Sequence, residues 1–247
     1  MDNPAVQAAH RPPGVDLSIG MLLPSGNLVA ERQVRAMLAP RVTLHTTRLP
    51  LTGSSEAQLQ AMIDGLEAAA GLLADARVDV IAFNCTAVST YKPDAEVEIV
   101  RRIAAVSRGA RALTTVDALL AALDHLDARR IALITPYIEP VTRREIAYFK
   151  EQGYSVIGDA SYGIDSNWDM ACAPASTWYD FTMANRRDAA DVYLLSCTAI
   201  ESAEVIEPLE AALGRPVLTS NQALAWHCQR SAGITTPVAG YGRLLAG

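Results

Sequence analysis

The chain has 247 residues, half of them hydrophobic and only 6% aromatic, with a net charge of −6 at pH 7. That length allows two medium domains with ample cores. Lys and Arg are scattered without a run, which speaks against a nucleic-acid partner, because backbone binding needs a clustered basic footprint. No stretch approaches the ~18 apolar residues of a membrane span, and Met1-Asp-Asn-Pro4 lacks the basic start and apolar core of a secretory signal. No membrane partner is expected, and the chain reads as cytoplasmic. Its four cysteines do not make a disulfide scaffold at this size, so reduced thiols become candidates for chemistry.

Taken in order, residues 1–14 are polar, end in Pro12-Pro13-Gly14 and read as an irregular N-terminal arm. An apolar run over 17–23 predicts a strand, which feeds a turn at Pro24-Ser-Gly-Asn27 and a helix over 28–38. Alternation predicts a strand over 42–48, helical spacing covers 56–76, and a third strand starts at Val78. A helix over 91–107 and a strand over 111–115 close this half. The second half reads as strand 130–135, helix 141–152, strand 154–157, a long loop, helix 178–189, strand 191–196, helix 202–213 and strand 217–219. A final helix over 222–232 follows. Strands that alternate with helices predict open parallel sheets wrapped by helices.

The two halves repeat each other. Val78-Asp-Val-Ile-Ala-Phe-Asn-Cys-Thr86 matches Ala190-Asp-Val-Tyr-Leu-Leu-Ser-Cys-Thr198 at an offset of 197 − 85 = 112, and Ile19-Gly-Met-Leu-Leu-Pro24 matches Ile131-Ala-Leu-Ile-Thr-Pro136 at 131 − 19 = 112. Ala112-Leu-Thr-Thr115 and Val217-Leu-Thr-Ser220 match at 217 − 112 = 105, a drift that unequal loops explain. Two matches in one register mark a duplication. The predicted class is α/β: two duplicated Rossmann-like lobes, each a mostly parallel four-stranded sheet flanked by helices, related by a pseudo-twofold with the active site in the cleft between them. The expected lobes are 15–116 plus 220–247, and 117–219.

Ligands of open α/β sheets sit beyond the carboxyl ends of strands. The loops 24–27, 84–86, 136–139 and 196–199 lie there, and a pseudo-twofold would gather them around one cleft with Cys85 facing Cys197. A single cysteine at a strand end is most simply a small buried hydrophobe. Two in identical places, each preceded by Asn or Ser and followed by Thr, are better read as reactive. Each precedes a Thr able to cap a following helix, so the expectation is a thiol pKa lowered by a helix start. His10, His45, His125 and His227 show no metal spacing, so no metal is expected. Cys172 reads as a loop thiol, Cys228 as core, and Trp168 and Trp178 as packing or lid residues. No glycine-rich phosphate fingerprint follows the first strand, so no nucleotide cofactor is expected.

On Pro24-Ser-Gly-Asn27, Asn84-Cys-Thr86, Thr135-Pro-Tyr137, Asn167 and Ser196-Cys-Thr198 the chain resembles the aspartate/glutamate racemase superfamily, and within it most the maleate cis-trans isomerases. The resemblance covers almost the whole chain, with one departure. The family usually reads Pro-Ser-Ser-Asn-Thr where this chain has Pro24-Ser-Gly-Asn-Leu28. It implies a homodimeric, cofactor-independent isomerase of a small dicarboxylic acid, with Cys85 as nucleophile and Cys197 as acid and base. It also implies that Ser25, Asn27, Asn84, Thr86, Tyr137, Asn167 and Thr198 bind the substrate, with Arg48 or Arg143 able to reach in. Three other readings stay open. One is a two-cysteine racemase of an amino acid or hydantoin. Another is an arylmalonate-type decarboxylase, which includes relatives from ectoine degradation; that family has one cysteine, in its second half. The third is a non-catalytic acid-binding protein.

Overall fold

A computed structural model describes residues 11–247 apart from 54 and 93; most of the predicted arm, with His10, lies outside the described residues. Two four-stranded sheets, parallel throughout, carry the chain. The first half forms β1 (Leu17–Pro24), α1 (Ala30–Ala36), β2 (Val42–Leu49), α2 (Glu56–Asp64), α3 (Leu66–Asp75), β3 (Val80–Phe83), α4 (Thr86–Ser89), α5 (Ala95–Val106), β4 (Arg111–Thr114) and α6 (Thr115–His125). The second forms β5 (Arg130–Tyr137), α7 (Glu139–Glu151), β6 (Ser155–Ile164), α8 (Asn167–Cys172), α9 (Ala175–Ala184), β7 (Val192–Leu195), a 3-10 turn (Ala203–Val205), α10 (Ile206–Leu213), β8 (Val217–Thr219), α11 (Ser220–Ser231) and α12 (Gly242–Ala246). Strand order is β2-β1-β3-β4 in one sheet and β6-β5-β7-β8 in the other, so each half repeats the same winding.

The repeat has physical causes that the residues show. β3 and β7 are buried at every position, as a strand covered by helices on both faces must be. Just before them, Asp79 accepts the Ser18 N–H at 2.8 Å and Asp191 accepts the Arg130 N–H at 2.8 Å, so the repeated aspartate pins the start of the neighbouring strand in both sheets. After β4 and β8, Thr114 and Thr219 each cap the helix that follows, accepting from Asp117 N and Gln222 N.

Those two capped helices, α6 and α11, pack on each other and tie the halves together. From α11, Gln229 donates to the Met37 carbonyl and accepts the Ala39 N–H, both in the first half, while Tyr154 of the second half donates to Asp124 on α6. One core cluster accordingly runs from Leu17 and Leu23 through Leu119 and Leu224 to Leu133 and Leu195, and a second, around Leu59, Phe83 and Ile99, fills the far side of the first sheet. Among the described residues no helix is long and apolar enough to cross a membrane.

Three elements differ from the sequence reading. The helix expected over 56–76 is two helices parted at Gly65, where a Cβ would sit 3.0 Å from Leu49 Cδ2, so glycine lets the chain lie this close to β2 without shifting that side chain. The strand expected to end at 157 runs to Ile164, and α8 occupies what read as a long loop. β6 is an edge strand, half exposed, with Gly158 and Gly163 inside it and register shifts against β5, which breaks the alternation that marks a strand. The link between the halves is the eleven-residue α6, whose buried Val116, Leu119, Ala122 and Leu123 have helical spacing.

Candidate active site

Cys85 lies two residues beyond β3 as the residue that opens α4, and Cys197 follows β7 at the equivalent place. Both thiols line one cavity of about 30 Å³ together with Pro24, Leu51, Tyr137, Asn167, Met170 and Thr198. This volume holds roughly two water molecules, so the described state is closed. The Cys85 sulfur receives the backbone N–H groups of Val88 and Ala87. Cys197 Sγ accepts the Ala199 N–H at 3.2 Å and the Tyr137 hydroxyl, and it lies 3.9 Å from Met170 Sδ.

The expected fall in thiol pKa is not met: burial pushes both Cys85 and Cys197 up to about 12. The N–H groups and the Tyr137 hydroxyl favour the thiolate, but removal from water outweighs them. Moreover, α4 spans a single turn, and no helix starts directly after Cys197, where 198–202 is irregular before the 3-10 turn. Burial likewise holds Tyr137 well above the ordinary phenol range, which keeps it a neutral donor.

The other predicted residues divide by position. Tyr137, Asn167 and Thr198 reach the cavity. Asn167 is held by its amide N–H to the Thr52 carbonyl at 3.2 Å and its side chain to the Leu51 carbonyl at 3.3 Å. The remaining four stand behind the wall. Asn27 donates to the carbonyl and hydroxyl of Thr198 at 3.1 Å and accepts the Val29 and Ala30 N–H groups at 2.9 Å, which makes it a buried strut between the lobes. Asn84 donates to Asn221 at 3.2 Å, and Asn221 in turn donates to the Thr198 carbonyl at 3.0 Å. Thr86 pairs with Ser220 at 3.0 Å, and Ser25 accepts the Leu51 N–H at 3.1 Å. Gly26 lets this last loop close: a Cβ there would lie 3.2 Å from the Leu51 carbonyl and 3.3 Å from Asn167 Cβ.

No Lys or Arg is among the lining residues. Arg48 instead holds the Ser25 and Asn27 carbonyls at 3.1 and 2.8 Å, and Arg143 pairs with Glu139 on its own helix at 3.0 Å. Cys172 is exposed and does not line the cavity, and Cys228 is buried in α11. Trp178 is fully buried whereas Trp168 is 65% exposed. Two residues near the site escaped the sequence reading. Met170 was hidden in what read as a loop. Glu145 is wholly buried on α7, and its signal was a charge at an apolar-periodic position.

Fold and site define the class: a paired-cysteine enzyme made of two parallel α/β lobes, with one thiol from each lobe facing a shared cavity. Residues 19–245 match the arylmalonate decarboxylase family, and the chain belongs to it. The maleate isomerase of Nocardia farcinica is 28% identical over 237 residues, covering 92% of this chain and 94% of the relative. The crystal structure of the maleate isomerase Iso from Pseudomonas putida S16 superposes with a TM-score of 0.90 at 26% identity, covering 94% of this chain and 98% of that one. A mutant of the Nocardia farcinica maleate cis-trans isomerase, solved with a covalently bound succinylcysteine intermediate, superposes at 0.87 with 25% identity over 93% and 98%.

Proposed function

We propose that this chain is a cofactor-independent cis-trans isomerase of a small enedioic acid, of the maleate-to-fumarate type, with Cys85 as nucleophile and Cys197 as acid and base. The observation that carries this reading is one cavity walled by two buried thiols, one from each half, and by neutral donors. The succinylcysteine trapped in the Nocardia farcinica relative supports addition of sulfur to the alkene.

Both thiols start protonated, and the chemistry balances from that state. The Cys85 sulfur bonds to one alkene carbon while the other takes a proton from Cys197, and the proton Cys85 gives up restores the Cys197 thiol. The former double bond is now single and turns. The reverse transfers then expel the trans acid and return both thiols. Between these steps the carboxylate beside the reacting carbon carries enediolate charge, for which Tyr137, Asn167 and the nearby backbone N–H groups are the available donors. Neutral donors bind a dianion without trapping it. Ser25, Asn27, Asn84, Thr86 and Thr198 act in this scheme by fixing the loops that carry the donors.

Homodimerisation and cytoplasmic location belong to the same proposal, and light scattering behind a sizing column tests the first. The function is tested by following maleate to fumarate in the ultraviolet and by chromatography. Turnover that disappears in C85A protein of unchanged fold supports it. Racemisation of an amino acid or loss of carbon dioxide from an arylmalonate, without isomerisation of any enedioate, overturns it.

A further inference from the structure

The duplication singles out one buried group that the mechanism leaves unused. At the offset of 112, helix α1 with its two caps and helix α7 bury the same five positions: Val29, Ala30, Gln33, Val34 and Met37 answer Val141, Thr142, Glu145, Ile146 and Phe149. The mate of Glu145 is therefore Gln33, since 145 − 33 = 112. Gln33 is satisfied, donating to the Ile200 carbonyl at 3.1 Å and accepting from Asn221 at 2.9 Å. Glu145 is not. Its side chain has no solvent exposure and neither carboxyl oxygen makes a hydrogen bond of good geometry; Ser196 Oγ, the hydroxyl that interacts with it, is also buried and without a well-formed bond. Ser196 is the residue before Cys197.

A buried polar group without a well-formed bond costs about 1–3 kcal/mol, and one set against the residue before a cavity thiol calls for a reason. The helix itself is not loose. Thr142, one turn before Glu145, pairs with Thr135 of β5 at 2.6 Å and accepts from Ser161 of β6 at 2.8 Å. We propose that Glu145 is a positioning residue of the active site, which donates its carboxyl proton to Ser196 and so holds the loop that carries Cys197. This inference rests on the isomerase reading. The bond needs only a small approach of two groups that already face each other, as a substrate that opens the closed cavity can provide.

The arrangement makes the site sensitive to one ionisation. Burial raises the Glu145 carboxyl from 4.5 to about 8, so the proton is present at neutral pH. Loss of that proton removes the donor and places a negative charge that acts against the ionisation of Cys197, Tyr137 on β5 and Cys85 across the cleft. On its own helix Arg144 favours the carboxylate, and β6 brings Asp159, which Arg143 engages at 3.9 Å.

The test compares E145Q and E145L with the wild-type protein. E145Q keeps a donor and restores the residue type of the other half; E145L keeps the bulk and loses the donor. Wild-type kcat/KM for maleate is expected to fall about tenfold per pH unit above about pH 8. E145Q is expected to lose up to about tenfold in kcat at pH 7 and to lack that fall, whereas E145L is expected to lose at least ~30-fold in kcat with KM within ~3-fold. A folded E145Q that keeps the alkaline fall, or a folded E145L with wild-type kcat, overturns the inference. A second arm needs neither variant nor substrate: infrared titration of the wild-type protein should show a protonated carboxyl C=O band that disappears near pH 8. A protein with no such band at pH 7 overturns the inference even if both variants fail to fold. Wild-type protein that isomerises no enedioate at any pH overturns the functional reading, and the infrared arm then decides Glu145 alone.

Discussion

Replacing Glu145 with Gln should change the way stability depends on pH, and the size of the change follows from burial. Unfolded, the carboxyl titrates near 4.5; folded, it titrates near about 8 because its side chain has no exposure. Between those values the folded chain holds a proton that the unfolded chain releases, so stability falls as pH rises, by about 1.4 kcal/mol per unit. The contribution is intact below 4.5. By pH 7 the loss is about 3 kcal/mol, and by pH 8 and above it is about 5, with no solvent screening to reduce it. E145Q carries no such titration. The difference between wild-type and E145Q stability should therefore open steadily from pH 5 to 8, which at pH 7 corresponds to roughly 6–12 °C in melting temperature for a chain of this size. Urea or thermal melts of both proteins at half-unit pH steps measure it. Parallel curves, or a gap that widens toward acid, refute the reasoning.

Two further outcomes follow from the same geometry. Iodoacetamide at pH 7 should label exposed Cys172 first, while the buried Cys85 and Cys197 react slowly and only faster as pH climbs past the ~8.5 of a free thiol; peptide mapping that finds Cys85 first contradicts the burial argument. N27A should cost about 2–3 kcal/mol, because it removes the donor to the Thr198 hydroxyl and leaves the Val29 and Ala30 N–H groups unpaired in a buried interface; a loss under ~0.5 kcal/mol in denaturant melts would show that the strut carries no stability.

What the sequence made legible and what it hid have physical reasons. The strands that deliver the thiols were plain, because a strand covered on both faces must be apolar throughout and the duplication wrote it twice, with Asp79 and Asp191 as punctuation. The edge strand β6 was cut short, since its half-exposed pattern and two glycines carry little alternation. Motif residues were legible as a group but not in their division of labour. Asn27, Asn84 and Thr86 sit at the strand ends that binding residues occupy, yet their hydrogen bonds go to Thr198 in the cavity wall and to Asn221 and Ser220 behind it. The sign of the thiol shift was misjudged because it depends on burial, which only the packed lobes set.

Duplication places two thiols symmetrically, but an isomerase of this kind needs them to differ, and two of the differences between the halves bear on proton transfer. Tyr137 stands where the first half has Ser25, at 137 − 25 = 112. Its hydroxyl serves Cys197, whereas the Ser25 hydroxyl is turned to the Leu51 backbone. Glu145 stands where the first half has Gln33. The second half thus supplies the Tyr137 hydroxyl to Cys197 and a buried carboxyl that acts on both thiols, while the hydrogen bonds to the Cys85 sulfur come from backbone N–H groups. That asymmetry supports the proposed division, proton transfer by Cys197 and bond formation by Cys85, and reciprocal variants test it. In C197S protein Cys85 can still add to the alkene while the carbon proton is handled poorly, so acid-quenched intact-protein mass spectrometry should find a species heavier by one substrate mass, mapped to Cys85. C85S protein should show none. Equal adducts on the remaining cysteine of each variant would mean that the halves are chemically interchangeable, and the assignment drawn from Tyr137 and Glu145 would fall.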